Sequence, residues 1–88
     1  MTQELSMLKT DLGIMQTDAY DTRLQDYLDN ARAEITREGI ALDPADLADV
    51  QLVVMYAAWT WRKRDSGDGM PRMLRYALNN RLFAQKAR

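Results

Sequence analysis

The residues of this chain able to do chemistry are carboxylates and cations, and their spacing speaks for binding more than for catalysis. Asp26 and Asp29 stand three apart, so on a helix they share one face. A carboxylate pair can divide acid and base roles, but the sequence contains neither His nor Cys, and no nucleophile accompanies the pair. The commonest general base, the commonest metal ligand and all thiolate chemistry are thereby missing. Cations gather at Arg62, Lys63 and Arg64 and again at Arg72 and Arg75, on either side of a glycine-punctuated turn. Such a helix-loop-helix element could present five positive charges to phosphate. The triplet also closes a helical segment, where each cation stabilises the helix end by about 0.3–1 kcal/mol, so a structural role is open to it.

The turn itself offers no site. Counting from Asp65, the third and fifth positions of a calcium loop are Gly67 and Gly69 and the twelfth is Tyr76, which is no ligand set for calcium. Gly67-Asp68-Gly69 lacks the lysine and the preceding strand of a phosphate-binding loop. No enzymatic activity, metal or cofactor is expected.

The elements that must position these charges read as helices. At 88 residues the chain makes one domain with a thin core, since a fold this small buries only about 60% of its unfolded surface. Leu5, Leu8 and Leu12 predict a first helix over about residues 3–12, stopped by Gly13. A second is expected over 19–38, capped by Thr17 or Asp18 and ended by Gly39. Its acids Asp21, Asp26, Asp29 and Glu38 should form a solvated outer face.

Asp43 as cap and Pro44 at the first position predict a third helix reaching Lys63. It is apolar nearly all round: Leu47, Val50, Val54, Ala57 and Trp61 form one stripe, and Leu52, Met55, Tyr56 and Trp59 widen it. Either tryptophan can belong to the core or anchor a subunit contact. A fourth helix opens at Pro71 after Met70, and its end, residues 83–88 with Phe83, is expected to be a loose tail. The fold class is therefore all-α, a compact bundle of about four helices around a long central hydrophobic one.

Charge divides along the chain although its net value is only −1. Residues 1–50 hold eleven acids against four bases, and residues 51–88 hold two acids against eight bases. Three readings stay open: the basic half meets nucleic acid, the halves neutralise each other within the fold, or they pair between subunits. The N-terminus shows Glu4 and Lys9 before any apolar run, unlike a secretory signal, and the apolar run over 50–61 is far short of the roughly 20 residues of a membrane span. A soluble cytoplasmic protein is expected.

The order of short motifs adds a resemblance. Leu12-Gly13-Ile14, Gly39-Ile40, Tyr56-Ala57-Ala58-Trp59, Arg62-Lys63-Arg64, Met70-Pro71-Arg72 and Leu78-Asn79-Asn80-Arg81 follow one another as in the head-tail connector, or adaptor, proteins of tailed phages and prophages. The chain resembles that family over nearly its whole length, departing from it in the short connection between Gly39 and Asp43. The resemblance implies a virion-assembly protein, a homo-oligomeric ring of about twelve subunits that completes the head and extends the DNA channel. Implied partners are the portal protein and a tail-completion protein, with packaged DNA passing nearby and no membrane. Such a protein is made in the host bacterial cytoplasm and resides in the virion. On this reading Asp26, Asp29, Trp59, Arg62, Lys63, Arg64, Met70, Arg72, Arg75 and Phe83 are the expected subunit or portal contacts. The alternative is a small helical DNA-binding regulator that uses the basic segment 62–75.

Overall fold

A computed structural model of the protein describes residues 3–87, and the described part is all-helical: α1 (Gln3–Leu12), α2 (Asp21–Arg37), α3 (Leu47–Ser66) and α4 (Arg72–Lys86). The expected all-α bundle is what the chain forms. Helix α3 touches the other three, and α4 packs chiefly on α3. Leu8, Leu24, Leu28, Ile35, Ile40 and Leu78 are completely enclosed, each contributing about 1.5–3 kcal/mol of apolar burial.

Local chemistry explains where the helices differ from expectation. The Thr17 hydroxyl accepts from the amide of Ala19, and the amide of Asp21 bonds the carbonyl of Asp18. These turns occupy the residues expected to cap α2, so the helix starts at Asp21. In the same way, the Asp43 carboxylate accepts from the Ala45 amide while the Asp46 amide bonds the Asp43 carbonyl. Pro44 therefore occupies the second place of a tight turn, and Asp46 caps α3 by accepting from Ala48. Leu47, expected in the buried stripe, is more than half exposed, because it sits at the first helical position before α3 enters the bundle.

The other end of α3 runs past Lys63 to Ser66 and stops at Gly67, whose φ of 69° is left-handed and whose amide bonds the Lys63 carbonyl at 2.7 Å. The segment expected as a loose tail is helical through Lys86. Gln85 fastens it, accepting from the Ala41 amide at 2.7 Å and donating to the Gly39 carbonyl at 2.9 Å. Arg88 lies outside the described residues.

Two buried charges tie the helices together. Asp49, on the inner side of α3, receives Arg81 of α4 through both oxygens at 2.7 and 3.1 Å, and also the Asp43 amide at 2.9 Å. Arg81 reaches on to the Ala41 carbonyl at 2.8 Å. Lys9 of α1 is buried beside Asp21 of α2 at 2.8 Å, with Asp18 at 3.6 Å. Asp21 and Glu38, expected on a solvated acidic face, are thus half-buried partners, the second of Arg75 at 2.9 Å.

Removing one member of the Asp49–Arg81 pair leaves the other charge enclosed. Asp49→Ala is expected to lower the unfolding free energy by about 3–5 kcal/mol in urea titration. A loss under about 1 kcal/mol would show that the pair is dispensable.

Alkaline pH probes the same architecture. The close contact with the Asp21 carboxylate holds the lysine above its ordinary value, and burial pushes the Tyr56 phenol up. A group whose folded-state value is raised contributes stability that is complete below the unfolded value and lost as pH rises through the folded one. The melting temperature should therefore decline above about pH 10. Tyr56→Phe should make that decline shallower; an unchanged slope would assign it to other groups.

Candidate functional site

The corner where α3 hands over to α4 collects most of the residues the sequence marks for interaction. Three consecutive cations on a helix point about 100° apart, and each finds a different neighbour. Arg62 donates to the carbonyl of Asp11 at the end of α1, at 3.0 Å. Lys63 lies over the Trp59 ring, 4.4 Å from its centre. Arg64 covers the Trp61 ring at 3.8 Å and donates to the Trp61 carbonyl. All three remain exposed, so each keeps its charge in contact with solvent.

The two tryptophans divide the work. Trp61 is buried, with Tyr20 and Tyr27 of the α2 side edge-on at 5.9 and 5.3 Å. Trp59 is half-buried, edge-on to Tyr56 at 5.3 Å, and its indole N–H donates to the Gly69 carbonyl at 3.1 Å. It thereby pins the turn that carries Met70, Pro71 and Arg72. Met70 is half-buried against the core, while Arg72 is exposed and has no ion pair among the described residues.

Between α1, α3 and the start of α4 these side chains enclose an open groove of about 370 Å³. Met55, Ala58, Trp59 and Leu74 give it an apolar floor, and Arg62, Lys63, Asp11, Asp68 and the strongly exposed Met73 stand at its edge. Such a groove can take an apolar side chain from a partner that also bears polar groups. Among the described residues no cluster of three or more acids is arranged to hold a metal ion. No helix among them is long and apolar enough to cross a membrane.

Other expected contact residues lie elsewhere. Arg75 turns inward to Glu38 in a two-pronged pair, and that bond holds its guanidinium above the ordinary value. Phe83 is exposed two turns beyond Tyr76 on the outer side of α4. Asp26 is exposed on α2, and Asp29 is engaged by Arg32 and Gln25 of its own helix. Sequence reasoning missed Met73, and it missed Asp49 with Arg81. An acid four residues before Val53 on the most apolar helix was the available signal, since a charge on a buried face requires a partner.

No protein-family model matches the chain, and neither a curated protein nor a solved structure matches it.

Trp59→Phe keeps an aromatic ring and deletes the indole donor, so the turn over 67–70 should lose its tether to α3. Amide exchange at Gly69 and Met70 should quicken while global stability falls by about 1 kcal/mol. Unaltered exchange there would mean that the turn holds its shape without the indole.

Proposed function

We propose that this protein is a structural subunit of phage assembly, a head-tail connector that forms a ring between portal and tail. The observation that carries the reading is the exposed basic corner on a chain whose acids lie mostly in its first half. Internal pairing removes part of that asymmetry, because Glu38 takes Arg75 and Asp49 takes Arg81. Arg62, Lys63, Arg64 and Arg72 stay exposed, the first two of them at the edge of an apolar groove. Charge of one sign next to apolar surface suits a protein partner of opposite charge, with electrostatics guiding encounter and apolar contact giving affinity. Tyr76 and Phe83 on the outside of α4 are the residues offered to the portal or to a tail-completion protein.

The same cations would also suit phosphate, and a small DNA-binding regulator is the second reading. Against it, the outer side of α4 carries Met73, Tyr76 and Phe83, apolar groups in the place where a recognition helix needs base-reading side chains.

One preparation separates the two. Native mass spectra over a concentration series, with and without a short duplex, should show closed multimers that form without DNA. Arg62→Glu combined with Arg72→Glu should abolish them with helix content unchanged by circular dichroism. Stoichiometric, salt-dependent uptake of duplex by a monomer or dimer would establish the regulator instead.

A further inference from the structure

The acidic counterpart of the basic corner can be sought on the molecule itself. Besides Asp26 and Asp29, the exposed residues of α2 are Thr22, Arg23, Asn30, Ala33, Thr36 and Arg37. That face mixes signs, and Asp29 is already engaged by Arg32. It also lacks a large apolar side chain, so pairing there would rest on exposed ion pairs worth little.

The beginning of α3 is different. Asp43 and Asp46 are exposed on consecutive turns, and Leu47 stands beside them, 53% exposed. Each carboxylate bonds a backbone amide in its own turn, which fixes its position and leaves its charge intact. Next to them, between α1, α2 and the turn at Pro44, opens a groove of about 440 Å³ floored by Leu42, Val50 and Val53. An acidic rim, an exposed leucine and an apolar hollow thus sit at one end of α3. At the other end, about 30 Å away along a 20-residue helix, Arg62 and Lys63 stand with Asp11 and Asp68 around an apolar hollow, and exposed Arg72 beside exposed Met73 tips the balance to positive.

We infer that these two ends are the halves of one head-to-tail contact between copies of this chain, with Asp43, Asp46 and Leu47 of one copy meeting Arg62, Arg72 and Met73 of the next. The inference rests on the assembly reading above and names its surfaces. Because the halves are different and lie at opposite ends of a rigid helix, each contact leaves one half unused on either side. Such a contact propagates until a ring closes. Exposed leucine and methionine supply apolar area, and the charges set which end meets which.

Two conservative variants test it. Asp43→Asn/Asp46→Asn/Leu47→Gln removes the acidic half while asparagine still accepts the turn and cap bonds. Arg72→Gln/Met73→Gln removes two of the three residues of the basic half with side chains that suit a helix, and keeps the Arg62 bond to α1. Each variant alone, with wild-type circular dichroism, should self-associate at least about tenfold more weakly by analytical ultracentrifugation. An equimolar mixture should form a 1:1 complex that grows no further, since one intact contact is left between the two variants. If the wild type assembles and both variants assemble equally well, this contact is overturned while the assembly reading stands. A mixture that yields no 1:1 complex also overturns the contact, and a wild type that stays monomeric up to its solubility limit overturns both.

Discussion

The fold depends on a carboxylate enclosed in a small apolar bundle. Asp49 lies on the inner side of α3, 2% exposed, where an unpaired charge would be unaffordable in a domain of this size. Arg81 answers it with two hydrogen bonds, and the same guanidinium reaches the Ala41 carbonyl. The Asp43 amide closes the group from the other side. One acid therefore fixes the connection between α2 and α3, the start of α3 and the last turns of α4. Gln85 extends the arrangement by bonding Gly39 and Ala41. This explains why the end of α4 is held against the body of the protein.

The Lys9 site performs a similar task at α1. A ten-residue helix is marginal in isolation, and its apolar contribution comes mainly from Leu5 and Leu8. Burying its lysine against Asp21 gives the helix a fixed place on α2, because any other placement would strand the ammonium. Polar groups here supply specificity of arrangement and apolar burial supplies most of the stability. The exposed surface follows from the same division: Asp49 and Arg81 are withdrawn from the outside, and Glu38 and Arg75 neutralise each other at the surface of the bundle. Among the charges that stay exposed, Asp43 and Asp46 at the start of α3 and Arg62 and Arg72 near its end lie next to apolar surface, and they are the basis of the assembly proposed for the chain.

The helices were legible because their signals are local. Leu5, Leu8 and Leu12 recur at helical spacing, Gly13 and Gly39 adopt positive φ, and the long apolar segment with two tryptophans could only be central. Boundaries were less legible where two local signals compete for one residue. Asp43-Pro44 reads equally well as a cap with a first helical proline and as a turn, and the Asp43 bond to Ala45 decided for the turn. The candidate site was legible as composition, through Trp59, Arg62, Lys63 and Arg72, but not as geometry. Neighbours on a helix diverge by about 100°, so Arg62, Lys63 and Arg64 go to three different surroundings.

By itself the sequence determined four helices, an all-α bundle, a polarised charge distribution and a composition without histidine or cysteine. These follow from periodicity, glycine and proline chemistry and residue counts, all of which act within a few positions of the chain. Only the tertiary structure decided which charges are spent in the core and which face outward. Pairing of Asp49 with Arg81 and of Glu38 with Arg75 spans more than thirty positions, and it depends on how α4 lies against α3 and against the end of α2. That arrangement is set by packing of the whole bundle, which no local pattern encodes.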